Sequence, residues 1–263
     1  SAILRRKYQL HRTMPPRLRS LPARFVAVLC VAAGMAAQAA DRPLNVAVLG
    51  NSPPMSFRDD TGRLTGFSIE IARALCEEMQ VRCEFHVIVL ERLLDGLAGG
   101  EFDIGAVSLL DTPERRRRIL LAHPYFRSIT LWFAKPGVEP GTPGLRVAVV
   151  KGSAQESYAR KQAWETVAVQ TNGELGAPLI AGVAQAAIVP MNTSLHLQKN
   201  GDFQRLGLAS TVMKVPELVG NASFGITPQR PELKVAVDDA LERIKRNGVY
   251  ERINTQFLPF RVH

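Results

Sequence analysis

From residue 44 onward, apolar positions switch repeatedly between a period of two and a period near 3.6. LNVAVLG (44–50) reads as a buried strand. SPPMSFRDDTGRLTG (52–66) is turn-rich, with Asp59-Asp60-Thr61-Gly62 suited to a hairpin tip. FSIEIARALCEEM (67–79) then places Phe67, Ile71, Ala74, Leu75 and Met79 on one helical stripe. A strand (CEFHVIV, 83–89), a helix (LERLLDGLAGG, 90–100) and a second buried strand (FDIGAVSL, 102–109) follow, the alternation that builds a mainly parallel sheet. Glycine and proline cluster in KPGVEPGTPG (135–144), and a new series begins after it. It reads as strand LRVAVV (145–150), helix GSAQESYARKQAW (152–164), strand TVAVQ (166–170), helix GELGAPLIAGV (173–183) and strand QAAIV (185–189). Near the end, Leu233, Val237, Leu241, Ile244 and Tyr250 recur at helical spacing, interrupted by Asn247-Gly248 as cap and restart. Two α/β lobes account for this order, the first over 41–132, the second over 133–222, with a return to the first over 223–263.

Thr112-Pro113-Glu114 is a helix start: a hydroxyl at the N-cap, proline where its missing N–H does no harm, and an acid in the first turn. The four arginines 115–118 therefore occupy the first two turns of a helix, near its positive end. Successive helical side chains point about 100° apart, so the four cannot share one task. One reading leaves most of them solvated. The other takes Arg115, close behind a strand ending at Ser108, to join a hydroxyl and backbone N–H groups around an anion.

The net charge of +9 favours nucleic acid or an anionic surface only if it is spread over the fold. It is not. Residues 1–40 carry seven Lys/Arg and no acid; without them 26 cations face 24 acids, a balance of +2. That segment has the layout of a secretory signal: a basic stretch after Met14, an apolar run over 25–35, and the small-x-small site Ala37-Gln38-Ala39. We expect 1–40 to be signal peptide and upstream residues, cleaved near Ala39 after Sec export, so that the protein works in the periplasm without a nucleic-acid partner. The apolar run is too short for a membrane anchor, which needs about 20 residues, and Leu29 ahead of Cys30 is too large for lipid attachment. Cys76 and Cys83 would meet an oxidising compartment, where a bridge and two buried free thiols are the alternatives. No second pair of ligands lies near them for a metal, and no Ser-His-Asp, zinc or phosphate-loop spacing occurs, so neither metal nor cofactor is expected.

Several of these stretches, in this order, resemble the periplasmic solute-binding proteins of the polar amino acid family (family 3), which serve ABC importers. They are Gly66-Phe67 at a helix start, Gly-x-x-Asp at 100–103, Thr-x-x-Arg at 112–115 followed by Pro124-Tyr125, and Gly-Ser-x-Gln at 152–155. The resemblance implies a two-lobed periplasmic binding protein fold of type II, each lobe a small, mainly parallel sheet flanked by helices, closing on a ligand in the cleft. It implies a Cys76–Cys83 disulfide. It also implies that Arg115 and Ser108 hold a carboxylate from the first lobe, while Ser153, or the N–H groups from Ser153 to Gln155, complete the clamp from the second. The expected function is capture of a small carboxylate-bearing ligand, an amino acid or related organic acid, for an ABC permease in the inner membrane, by a monomer and without catalysis.

The chain departs from the family pattern where a ligand ammonium would be met. Pro190 stands where an acid is usual, Leu49 where another is common, Ser52 where an aromatic often covers the ligand, Leu90 at a bulky position, and Leu110 in place of a hydroxyl. Leaving an ammonium buried without a partner costs several kcal/mol. We therefore expect either a carboxylate without an α-amino group or an amino acid in a different pose. Asn51, Asn192 and Ser194 are candidates for neutral hydrogen bonds, with local turn roles as the alternative. Two other uses of the fold stay open. One is a cyclohexadienyl dehydratase-like enzyme, for which Glu156, His123 or Asp111 would have to act as acid or base. The other is a soluble ligand sensor for a signalling receptor.

Overall fold

The computed structural model describes residues 42–261. The expected signal segment and Cys30 lie outside the described residues. Among the described residues no helix is long and apolar enough to cross a membrane.

Three parallel strands open the first sheet: β1 (Leu44–Leu49) lies between β5 (Cys83–Ile88) and β6 (Ile104–Leu110). Side chains alternate across β1. Val46 and Val48 enter one apolar core, and Ala47 and Leu49 enter another on the opposite face. Helix α1 (Phe67–Glu78) covers the first face together with α8 (Pro231–Arg246) and α9 (Val249–Phe257). Helix α2 (Leu90–Ala98) covers the second through Leu93 and Leu97, both fully buried. The apolar stripes predicted for α1 and for the terminal helices are buried except Met79, which packs partly exposed against the core. Gly248, at φ 79°, makes the predicted restart between α8 and α9.

The second sheet has the order β11–β10–β12–β9–β13. Here β10 (Arg146–Val150) runs parallel to β11 (Glu165–Val169) and β12 (Ala186–Pro190), while β9 (Thr130–Ala134) lies antiparallel between β12 and the edge strand β13 (Ala209–Val212). The return strand β14 (Gly220–Ile226) joins the first sheet antiparallel to β6, β7 (Leu120–Leu121) and β8 (Phe126–Ser128). The chain thus changes sheet at Ile129 and again over 213–219. The stretches 131–134 and 223–226 each sit inside one sheet.

Three local expectations are corrected. The stretch 52–66 is a three-stranded miniature sheet of β2 (Asn51–Ser52), β3 (Ser56–Arg58) and β4 (Leu64–Thr65), with Asp59 Oδ1 accepting from Thr61 N and Arg63 N at the expected tip. The helix expected over 173–183 reduces to a 3-10 turn (Asn172–Glu174) and the short α5 (Ala177–Ile180), since Gly176 and Pro178 break the pattern. Helix α3 (Pro113–Arg116) has one turn, not two, so Arg117 and Arg118 fall beyond it. Helices α6 (Met191–Leu197) and α7 (Gly201–Arg205) carry too short an apolar pattern to stand out in the sequence.

Cys76 at the end of α1 and Cys83 at the start of β5 form a disulfide. This closes the alternative of two free thiols.

Candidate functional site

Carboxyl ends of β1, β6, β10 and β12 converge on a cavity of about 70 Å³ between the two sheets. That is space on the order of five water positions. The crevice beyond the carboxyl ends of strands is where open α/β sheets leave room for a ligand.

Arg115 enters this cavity from the first lobe. Thr112 caps α3 by accepting from Arg115 N at 3.3 Å, and Pro113 fixes the first helical position, so the arginine is presented within one turn of the strand end. Its side chain is buried at 6 % exposure, and Nη1 donates to Leu110 O at 2.9 Å. No carboxylate of the described residues pairs with it. Burial lowers the guanidinium pKa to about 10, against a smaller opposite pull from the exposed Glu114. At neutral pH the group remains a cation, held where water cannot solvate it fully. Its neighbours differ. Arg116 pairs with Asp111, Arg118 pairs with Asp95, and Arg117 is exposed.

Ser108 also lines the cavity. Its Oγ lies 2.7 Å from the hydroxyl of buried Tyr125, which reaches Ser68 Oγ at 2.8 Å. Burial pushes the Tyr125 phenol above its usual range, so it stays a neutral hydrogen-bond partner that fixes both serines.

The second lobe contributes a helix start. Ser153 caps α4 (Ala154–Lys161), its Oγ accepting from Glu156 N at 3.0 Å. Ser153 N already donates to Val150 O, which removes it from the expected clamp. Ala154 and Gln155, both on the cavity wall, hold the first two N–H positions of the helix, which have no intrahelical acceptor. The Gln155 side chain is anchored by donation to Thr130 Oγ1 at 3.1 Å.

Ser52, Leu90, Leu110, Pro190 and Asn192 join Arg115, Ser108, Ser153 and Gln155 on the wall, and so does Leu49. Asn51 and Ser194 do not. Asn51 is exposed and donates to Thr171 Oγ1 across the rim, while Ser194 Oγ donates to Met191 O within α6. Sequence reading missed Met55, Ser68, Phe126, Ser128, Asn172 and Thr193. Ser68, a polar residue on the buried face of α1, was the one with a visible signal.

The three candidate acid–base residues lie off this wall. Glu156 accepts from Gly152 N at 2.8 Å and pairs with Arg160. Asp111 is bound to Arg116, and His123 is half exposed beside Asp238 at 3.5 Å.

The lobes are in contact around the cavity. Lys151 pairs with Glu91 at 3.1 Å, Asn172 donates to Ser52, and Leu90 and Val150 share one apolar core. Two α/β lobes closed over a buried cation form the frame of a binding protein. Residues 44–260 match the model of the bacterial extracellular solute-binding proteins, family 3. The chain belongs to this family. Among its relatives is the L-arginine-binding protein of Pseudomonas aeruginosa, 25 % identical over 86 % of this chain and 91 % of that protein. A histidine kinase sensor domain superposes with a TM-score of 0.74 at 21 % identity, over 86 % of this chain and 100 % of the other. An ancestral amino acid-binding protein, a precursor of cyclohexadienyl dehydratase, gives 0.71 at 22 %, over 85 % and 98 %. At those identities the two structures speak to the fold alone, which is the type II two-lobed fold.

Proposed function

We propose that this family 3 protein captures a small carboxylate-bearing solute between its lobes and delivers it to an ABC permease, acting as a periplasmic monomer. The carrying observation is Arg115: a buried cation without a carboxylate partner among the described residues, on the same wall as the open N–H groups of a helix start from the opposite lobe. A carboxylate would satisfy both at once and relieve the burial of an unpaired charge. Relatives named as amino acid-binding proteins support a carboxylate as the recognised group. In this reading Ser108 and Ser153 add hydroxyl contacts, and Ser52, Leu90, Leu110, Gln155 and Pro190 shape the remainder. The hinge lies at Ile129 and over 213–219, where the chain changes sheet, and ligand shifts the population toward the closed form a permease reads.

Calorimetry on protein freed of bound solute by unfolding and dialysis tests this, with carboxylates titrated into wild type and Arg115→Ala. Binding that vanishes with the guanidinium supports the reading. Release of product from prephenate or arogenate would replace it with the dehydratase reading. Capture by an isolated sensor in place of a permease would assign it to signalling.

A further inference from the structure

We infer that the cleft is built for a monocarboxylate lacking an ammonium group, an amine-free organic acid, and selects against amino acids. This rests on the carboxylate reading above and narrows it.

Charge carries the argument. Of the described side chains that line the cavity, Arg115 alone is ionisable. A monoanion brings the enclosed charge to zero. A zwitterionic amino acid brings it back to one uncompensated cation, and a basic amino acid to two. Carboxylates on neighbouring elements are held elsewhere: Glu156 by Arg160 and Gly152 N, Asp111 by Arg116, and Glu91 by Lys151. Glu114 and Glu217 are exposed and line an adjoining cavity, which Arg115 also borders, and not this one.

An ammonium could still be held by neutral oxygens, since it needs up to three acceptors. The hydroxyls here are largely engaged. Ser68 and Ser108 share the Tyr125 hydroxyl, Ser52 Oγ takes the Asn172 amide, Ser56 Oγ is bound to Leu49 O, and Ser153 Oγ is the cap of α4. The rest of the wall is uncharged: apolar Leu49, Met55, Leu90, Leu110, Phe126 and Pro190, with the neutral polar Ser128, Asn172, Asn192 and Thr193 between them. Such a wall accepts a hydrocarbon, carbonyl or hydroxyl-bearing tail and penalises a charged one.

Pro190 offers a direct reversal. It ends β12 and precedes α6 as its N-cap, a position that aspartate fills readily, so Pro190→Asp adds a carboxylate to the wall without straining the helix start.

The test is calorimetric titration of dialysed wild type, Arg115→Ala and Pro190→Asp with sets matched in carbon skeleton. These are butanoate, 2-hydroxybutanoate, 2-oxobutanoate and L-2-aminobutanoate; the corresponding leucine-skeleton acids with L-leucine; and L-arginine and L-histidine. We expect an amine-free acid to bind wild type at least tenfold tighter than its amino counterpart, and Pro190→Asp to shrink or invert that ratio. An amino acid that binds wild type as tightly as its amine-free match overturns this inference while leaving the carboxylate reading intact. If no acid binds, or if Arg115→Ala binds undiminished, both fall.

Discussion

Asn172, in the 3-10 turn that follows β11, donates from Nδ2 to Ser52 Oγ of the first lobe at 2.5 Å. Beside it Gly173 packs on Asn51, and on the other side of the cavity Gly152 packs against the backbone of Glu91. The glycines allow the approach, but unequally. A Cβ at 173 would meet the movable Asn51 carboxamide, whereas at 152 it would stand 2.8 Å from Glu91 Cα, which cannot step aside. Gly152→Ala should therefore hold the lobes apart, weakening ligand binding at least tenfold and enlarging the liganded radius of gyration in solution scattering. Gly144→Ala is the control. Gly144 has the same φ of 76° but open space around it, so it carries the backbone strain without the clash. Equal loss of affinity in both variants would refute the closure argument.

Arg115 should cost stability and serve binding. Its pKa falls from 12.5 to about 10 because the folded protein buries the cation, a penalty on the order of 3 kcal/mol at any pH below 10. The bond to Leu110 O returns about 1 kcal/mol. Arg115→Leu should then leave the unliganded protein at least as stable as wild type in denaturant titration, while removing about 2 to 5 kcal/mol of binding. Arg117→Ala, on an exposed side chain, should change neither by more than a few tenths.

Affinity should also follow pH in a manner that reports the ligand's charge. Arg115 stays protonated through the neutral range, so a carboxylate binds with constant affinity from about pH 5, above its own titration, until the pH nears about 10, where half of the unliganded guanidinium has lost its proton. Above that the affinity should fall. Because a bound anion favours the charged guanidinium, binding near pH 10 should take up protons, measurable as a dependence of the calorimetric heat on buffer ionisation. A ligand burdened by an ammonium would instead bind more tightly as its amine deprotonates.

How far the sequence reaches is visible in two contrasts. Strands β1, β6, β10 and β12 and the long helices were legible because each buries a continuous run or stripe, and Arg115 was legible because Thr112-Pro113 fixes where its turn starts. By contrast, Met55 and Asn172 reach the cavity from a miniature sheet and a 3-10 turn, neither of which has an apolar period. Asn51 illustrates the reverse error. Its position near the end of β1 suited a ligand contact, but only the meeting of the lobes decides that its neighbour Ser52 points inward while Asn51 spans the rim to Thr171.

The Cys76–Cys83 disulfide should stabilise the first lobe without touching recognition. It joins the end of α1 to the start of β5, a loop with a sequence separation of 7, away from the carboxyl ends that form the cavity. A loop that short is worth about 2.5 kcal/mol in the chain-entropy model, because the cross-link chiefly restricts the unfolded chain. Replacing both cysteines with serine should lower unfolding free energy by about that amount. The dissociation constant should stay within a factor of two, since β1, β6 and Arg115 are positioned by the cores on either side of the sheet. If the double variant loses affinity tenfold at a temperature where it remains folded, the bridge has a part in setting the β1–β5 edge of the cleft, and stability and recognition are not separate in this lobe.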